Sequence, residues 1–521
     1  MKYMKLGYKP ETFHSDEGNI RYVATELAND IAINVGDIKF YLHKFPLLSK
    51  SGLMQKLVAN CEASGGEMID ISNIPGGPPA FEICAKFCYG MTVTLNANNV
   101  VAARCGAEYL EMYDTVEKGN LIYKIEVFFN SCIFRSWKDS IVVLQHTRGF
   151  SSLSEELKIT SRCLDSISDK CCIDTSMVDW SYSYNWKKLT SEQYWNGARN
   201  AQIVPKDWWV EDLCELHIDL FKRVITTIKE KGNVAPEILG KALIAYTARR
   251  IPGFNKEIME VNDGGKYRKF TEMVVSLLPS ERGSLPCDFM FKLLKAIIYT
   301  GCEEAVKMEV IRRISLQLSE ATVSDLLIRS APEEVTIYDI NIVVTLLKEF
   351  VENESNSSSR FENRVPSFRT ESSKAIVAKL MDGYLTEISK DPNLSVAKFV
   401  HLAESVRTFP RKSHDGVYRA IDTFLKEHSM IGKSERKRIC KLMDCKKFSV
   451  DACAHAIQND RLPLRVVVQI LFFEQSRQAS SGTISPGLSG PLKALLPDGS
   501  YGSSRTTTTN TEDDWDSVPT A

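Results

Sequence analysis

Three cysteines and a histidine lie close together in the stretch "CKLMDCKKFSVDACAH", at Cys440, Cys445, Cys453 and His455. Three thiolates and an imidazole are a common ligand set for structural zinc, but such sites usually use C-x2–4-C pairs on turns. Here the spacing is C-x4-C-x7-C-x-H. On one helix, Cys453 and His455 would point about 200° apart. The pattern therefore favours two packed helices with inward-facing thiols over a metal site.

The remaining reactive side chains do not form a catalytic set. Cys84 and Cys88 are one helical turn apart in "EICAKFC", a spacing that is typical of an apolar helix face packed in a core. Cys171 and Cys172 are adjacent, and adjacent thiols rarely bind the same metal ion. Glycine-rich phosphate loops and the G-x-S-x-G and H-E-x-x-H motifs do not occur in the sequence. We therefore expect a protein that is not an enzyme, with no catalytic residues, no cofactor and no metal.

Composition narrows the class of protein further. The 521 residues include 65 basic and 66 acidic side chains, a formal net charge of -1, so no global positive field is available to hold nucleic acid. No apolar run approaches the ~20 residues needed to span a bilayer. The opening "MKYMKLGYKPETF" lacks the apolar segment of a secretory signal, and so predicts a cytoplasmic protein with reduced cysteines.

Two kinds of periodicity divide the chain. Period-2 alternation in "DIAINVGDIKFYLHK" predicts a β-hairpin turning at "VGD", and "GEMIDISNI" predicts another strand, with helices after both. From residue 207 almost every segment has helical periodicity, which indicates an all-α array of a solenoid-like kind. The fold class predicted is therefore α+β, followed by a large all-α domain. After residue 477 a Ser-, Thr-, Gly- and Pro-rich composition predicts a disordered C-terminal tail.

Several exposed features are candidates for contacts with partners. His43 follows the hairpin, and two interpretations are open. It is a buried histidine bonded near Asp30 or to a backbone carbonyl, or else it belongs to a dimer or partner surface. The basic stretch from 436 to 447 is either a solvated helix face or a peripheral contact with anionic lipid. A polar loop predicted at 352–374 would expose Ser367 and Ser372, and the tail Thr508, each three residues after an arginine, as possible phosphorylation sites.

Longer motifs carry a resemblance to a known family. The segments "DIAINVGDIKFYLHKFPLLSKSGLM", "FEICAKFCYG" and "NVVAARCGAEYLEM" resemble the BTB/POZ fold, in which His43-Lys44 followed by an apolar run is typical. "WWVEDLCELHIDLFKRVI", "HDGVYRAIDTFLKEH" and "LPLRVVVQILFFEQ" resemble the helical domain of the plant non-phototropic-hypocotyl and root-phototropism family. The opening residues are most similar to its naked-pins (macchi-bou) subgroup.

This resemblance divides the chain into named parts. It implies an N-terminal extension at 1–27, a BTB/POZ domain at 28–120 and a helical extension and linker at 121–206. The family-specific all-α domain then spans 207–477, and the tail spans 478–521.

The resemblance also implies a function. BTB adaptors of this kind dimerise through the BTB domain and link a cullin-3 ubiquitin ligase to a target. The family implies work at the plasma membrane on auxin transport, organogenesis or tropic growth, with membrane-associated kinases or auxin transporters as partners. A ligase-independent signalling scaffold that gathers those same proteins is the alternative.

The candidate partner-binding residues follow from the same resemblance. Cullin-3 adaptors often carry a hydrophobic-x-Glu element, and its nearest counterpart here is Asn60-Cys61-Glu62, with a polar residue in place of the apolar anchor. Together with the residues at the hairpin, this element gives the candidate partner-binding set of Asp30, His43, Asn60 and Glu62.

Overall fold

A computed structural model describes most of the chain. The described residues are 1–11, 13–16, 19–25, 27–64, 68–175, 178, 204–254, 264–330, 334–359 and 368–481. The chain divides into two compact units. The N-terminal unit is Met1–Tyr384 with Ser405–Pro410, and the C-terminal unit is Leu385–Glu404 with Arg411–Ala521.

Seven strands are described, all near the N-terminus. Their bounds are β1 Tyr3–Leu6, β2 Phe13–Ser15, β3 Ile20–Val23, β4 Ile31–Val35, β5 Ile38–Leu42, β6 Met68–Asp70 and β7 Val93–Asn96. Five of them form one mixed sheet in the order β2-β3-β5-β4-β6, and β1 pairs with β7 in a separate two-stranded sheet.

The hairpin of β4 and β5 is the centre of the larger sheet, as the alternation predicts. The strands are antiparallel with Ile33 opposite Phe40, and both side chains are fully buried. Gly36 turns the chain with φ +58°, a left-handed conformation that costs glycine little. Alternating apolar side chains thus put one face of the sheet against the helices, where the Phe40 and Phe81 rings meet edge to face at 4.9 Å.

Residues 1–27 are part of this folded region rather than an appendage to it. β3 runs parallel to β5 and places the buried Val23 in the core, while β1 pairs along the whole of β7. The backbone N–H of Lys2 donates to Oδ2 of the buried Asp139 at 3.0 Å. The first residues are therefore held at the sheet and at a helix more than a hundred residues away.

Eight α-helices are described between the first strands and residue 175. They are α1 Lys44–Leu48, α2 Gly52–Ser64, α3 Gly77–Cys88, α4 Val100–Tyr109, α5 Leu121–Phe128, α6 Trp137–His146, α7 Ser151–Glu156 and α8 Ile159–Cys171. The helix α5 continues into a π-helical turn at Phe129–Ile133. Residues 121–171, in the part predicted as a helical extension and linker, are thus largely helical.

Every regular element described after residue 204 is helical. The α-helices are α9 Val210–Leu213, α10 Ile218–Lys231, α11 Pro236–Arg250, α12 Gly264–Leu277, α13 Cys287–Thr300, α14 Glu304–Leu316, α15 Val323–Leu326, α16 Ile340–Ser359, α17 Phe368–Ile388, α18 Val396–Ser405, α19 Asp415–Glu427, α20 Lys433–Cys440, α21 Val450–Ile457 and α22 Leu464–Ser481. The predicted order of an α+β region followed by a helical array is confirmed.

Successive helices of the N-terminal unit pack on one another. The helix α8 contacts α10, α10 contacts α12, and the series continues through α13 and α14 to α16. Phe221 of α10 stacks on Tyr246 of α11 with ring centroids 3.6 Å apart, and the Tyr246 hydroxyl donates to the Leu216 carbonyl at 2.9 Å. Trp137 of α6 donates to Asp212 at 2.7 Å, which ties the helices that follow the sheet to the helical array.

Two predictions about the later segments need comment. The polar loop predicted at 352–374 is wrong at both ends, since α16 continues to Ser359 and α17 begins at Phe368. The last helix also extends to Ser481, and the rest of the predicted tail lies outside the described residues. Among the described helices, none combines the length and the apolar character that crossing a membrane requires.

Candidate partner-binding site

His43 lies at the junction between β5 and α1, and its ring faces inward. It is only 9% exposed, with Nε2 3.2 Å from the Leu27 carbonyl and Nδ1 3.0 Å from the Tyr89 hydroxyl. These bonds are satisfied when Nε2 carries the hydrogen and Tyr89 donates to Nδ1. Burial raises the pKa of Tyr89 to about 12, which keeps its hydroxyl a donor. This geometry fits the structural interpretation of His43, a buried histidine bonded to a backbone carbonyl.

Asp30, Lys44 and Glu62 form a connected group on the surface beside His43. The Asp30 carboxylate accepts the backbone N–H of Lys44 at 2.7 Å and so caps the start of α1. The Lys44 ammonium donates to Oε1 of Glu62 at 2.7 Å, and this bond raises the pKa of Lys44. Two of the predicted partner-binding residues, Asp30 and Glu62, are thereby joined through a lysine that the prediction did not include.

An exposed aromatic side chain stands next to this group. Phe45 is 83% exposed, and it follows Lys44 directly in α1. Leu47 of the same short helix is buried, and two helical positions are about 200° apart, so Phe45 must point outward. In the sequence Phe45 belongs to the apolar run "KFPLL" and looks like a core residue. The five-residue length of α1 is the signal that would have identified it.

Asn60 and Glu62 lie near the end of α2, and both are exposed. Asn60, the polar residue at the expected anchor position, therefore presents an amide to the surface instead of an apolar side chain. Phe45 supplies an apolar group beside Lys44, the lysine that pairs with Glu62. We call Lys44, Phe45, Asn60 and Glu62 the α1–α2 surface.

The predicted phosphorylation sites fall in different surroundings. Ser372 is exposed but lies in the first turns of α17 instead of in a loop. Ser367 and Thr508 lie outside the described residues.

The cysteine–histidine stretch folds as two helices joined by a turn. Ser449 caps α21 by accepting the N–H of Ala452 at 3.2 Å. His455 is 2.6 Å from the Tyr418 hydroxyl through Nδ1. Burial raises the pKa of Cys440 to about 12 and that of Cys453 to about 11, whereas zinc binds thiolates. In the described part of the chain no three potential ligands are grouped to hold a metal.

We expect native protein to bind no stoichiometric zinc and to react only partly with a thiol reagent. None of the fourteen cysteines, all of which the structure describes, forms a disulfide; five are half-buried and the other nine are buried. The half-buried thiols are those of Cys61, Cys132, Cys172, Cys302 and Cys445. At pH 8, Ellman's reagent should modify at most those five rapidly and all fourteen in denaturant. One zinc per purified chain, or rapid native reaction of ten or more thiols, would contradict this reading.

Comparison with known proteins places the two regions in described families. Residues 207–453 match the model of the NPH3 family, and residues 24–122 match that of the BTB/POZ domain. No solved structure matches the chain.

The similar proteins are from Arabidopsis thaliana. The phototropic-responsive NPH3 family protein NPY2 is 54% identical over 100% of this chain and 84% of its own length. The related protein NPY1 is 46% identical over 93% of this chain and 83% of its own length. Root phototropism protein 3 is 34% identical over 90% of this chain and 76% of its own length.

Proposed function

Since the chain belongs to the NPH3 family of BTB/POZ proteins, with the NPY proteins of the naked-pins subgroup among its relatives, we propose that it is a non-catalytic adaptor of a cullin-3 ubiquitin ligase. Its BTB/POZ domain is a protein-interaction domain, and in this proposal it forms a homodimer and binds cullin-3. The helical domain recruits the target that is to be modified.

The α1–α2 surface is the observation that carries this proposal. Phe45 exposes 83% of its surface, although burying such a side chain is worth about 1.5–3 kcal/mol. Asp30 fixes the start of its helix and the Lys44–Glu62 pair lies beside it. An exposed aromatic group on a fixed helix, with charges at its edge, is the arrangement that binding hot spots use.

The proposed target is a membrane-associated kinase or an auxin transporter, met at the plasma membrane from the cytoplasmic side. The names of the relatives, which refer to phototropic responses, support a role in directional growth. An adaptor needs no catalytic groups of its own, because it increases the rate of transfer by holding the target near the ligase.

Binding of purified cullin-3 to the full chain tests the proposal. We expect the unchanged chain to bind with a dissociation constant in the micromolar range or lower. Phe45→Asp should weaken this affinity about 10- to 150-fold, because a charged side chain replaces the apolar one that binding would bury. Phe472→Asp is the matched control, since Phe472 is also exposed, at 63%, but lies in the C-terminal unit. This control should bind cullin-3 as the unchanged protein does.

Two outcomes would overturn the adaptor mechanism. The first is no binding by the unchanged chain at micromolar cullin-3, which would leave the ligase-independent scaffold as the function. The second is an equal loss of cullin-3 affinity in the Phe45 and Phe472 variants, which would show that the α1–α2 surface is not the cullin-3-binding site. Light scattering that finds only a monomer of 58.7 kDa would contradict the proposed homodimer.

A further inference from the structure

The C-terminal unit carries a basic surface formed by Lys437, Arg438, Lys441, Lys446 and Lys447. All five side chains are exposed. They come from the end of α20 and from the 3-10 turn Cys445–Lys447, so five positive charges fall within eleven residues. Among the described residues none of the five forms an ion pair with a carboxylate. Their charge is thus available to an anionic partner.

Aromatic side chains border this basic surface. The Lys446 ammonium lies 5.3 Å from the centre of the Phe473 ring. The neighbouring Phe472 ring is 5.8 Å from that of Phe473, and 63% of Phe472 is exposed. A ligand that fits here therefore combines several negative charges with an apolar or aromatic group.

One segment of the chain has this composition. "EDDWD", from Glu512 to Asp516, carries four carboxylates around Trp515. It lies outside the described residues. Its charge is opposite to that of the basic surface, and Trp515 is a large ring that can cover Phe472.

The last described helix, α22, lies near the basic surface. Arg477, in the second half of α22, donates through Nη1 to the Phe448 carbonyl at 2.9 Å, so this part of α22 lies beside the residue that follows Lys447. The 30 residues 482–511 then separate α22 from Glu512. Thirty residues can span at most about 100 Å, so this linker is long enough for the acidic segment to reach the basic surface. A segment tethered in this way has an effective concentration of about 1 mM, at which a weak contact is sufficient.

We propose that Glu512–Asp516 docks on the basic surface of its own chain, with Trp515 against Phe472 and the carboxylates facing the lysines. The docked segment covers a surface that anionic partners would otherwise reach. The C-terminal unit then binds such partners only in competition with its own acidic segment.

Zero-length cross-linking of the full chain tests the contact directly. A carbodiimide joins a carboxylate to a lysine amine only when the two touch. We expect mass spectrometry to find cross-links from Glu512–Asp516 chiefly to Lys441, Lys446 and Lys447. Their yield should fall at least about fivefold when sodium chloride is raised from about 0.05 to 0.5 M, because salt screens exposed charges.

Charge variants separate this contact from general attraction. Lys437→Glu combined with Arg438→Glu leaves Lys446 and Lys447 as reporters, and cross-links to them should fall about fivefold. The matched control is Lys222→Glu with Lys379→Glu, two exposed lysines on helices of the N-terminal unit, which should change nothing. Trp515→Ala keeps every carboxylate and should lower the yield about threefold.

The same experiment identifies other occupants. In an equal mixture of nitrogen-15 and natural-abundance protein, docking within one chain gives cross-links of a single isotope. Mixed-isotope cross-links would assign the surface to a second copy and overturn the proposal. It would also be overturned by cross-links spread evenly over all lysines. Absent cross-links, with co-sedimentation on phosphatidylserine vesicles that requires Lys437 and Arg438, would assign the surface to lipid instead.

Discussion

Replacing Val23 with aspartate is expected to lower the free energy of unfolding by at least about 3 kcal/mol, because a buried carboxylate without a partner is among the most costly changes in a core. Val23 is 2% exposed and ends β3, the strand that pairs with β5 beside the central hairpin. Chemical denaturation of the full chain, followed by circular dichroism, should show an earlier transition for the sheet-containing region.

Ala24→Asp is the control for this change. Ala24 is the next residue and is exposed, so the same charge there should alter the free energy of unfolding by less than about 0.5 kcal/mol. If Val23→Asp were as harmless as Ala24→Asp, β3 would belong to a separate N-terminal extension, the part that the family resemblance implies at 1–27. The packing of β3 in the core would then be incorrect.

Removing the aromatic ring of Tyr246 is expected to have an effect of similar size. Tyr246→Ala should cost about 3–5 kcal/mol, the usual range for deleting a buried aromatic side chain. Its ring is fully buried, stacks on Phe221 and lies 5.2 Å from the Arg250 guanidinium. Loss of the ring would leave a cavity between α10 and α11, near the beginning of the helical array. Thermal or chemical unfolding of the full chain measures this loss.

Tyr246→Phe separates the ring from the hydroxyl. It keeps the stacked rings and should lower the free energy of unfolding by only about 1 kcal/mol. The Leu216 carbonyl loses the tyrosine hydroxyl as a donor but still accepts a hydrogen bond from Arg250. A cost equal to that of the alanine variant would show that the stacking contributes nothing.

The pH dependence of Tyr246→Phe gives a second readout. Burial raises the pKa of Tyr246 to about 12 in the folded chain, above the value of about 10 for an unfolded tyrosine. The folded state then holds this proton more tightly, so the stabilisation is complete below pH 10 and is lost as the pH rises toward 12. Between pH 9 and 11 the unchanged protein should lose more stability than Tyr246→Phe.

The sequence predicted those strands and helix ends that are determined by residues close together in the chain. The alternation of Ile31, Ile33 and Val35 predicted a strand, because a sheet with one buried face requires that period. The Ser449 cap of α21 is equally local, because its side chain and the N–H it accepts are only three residues apart.

Elements that depend on distant partners were not predicted. β1, β2 and β3 have only three or four residues each, too few for a clear period. Their pairing partners lie up to about 90 residues away, and a sequence pattern carries no signal of such a partner. In the same way, the serine-rich end of α16 reads as a loop in isolation. Asn353 donates to Ser315 of α14 at 2.8 Å, a contact that supports the helix and that propensity cannot show.

The candidate site was predicted by residue type but not by arrangement. The resemblance pointed to Asp30, His43, Asn60 and Glu62, whereas Lys44 and Phe45 emerged only from the fold. Lys44 connects two carboxylates through its backbone and its side chain, a tertiary relation between three segments. Phe45 is exposed although Leu47, two positions further along the same helix, is buried.

The bond between Lys2 and Asp139 also bears on how the protein is made. Because β1 pairs with β7 and Lys2 with Asp139, these residues leave the ribosome well before the partners that hold them. At about 5–20 residues per second, synthesis of the 137 residues between them takes roughly 7–27 s. For most of that interval β1 has no partner strand, because β7 follows it by about 90 residues, and an unpaired strand edge is able to pair with other strands.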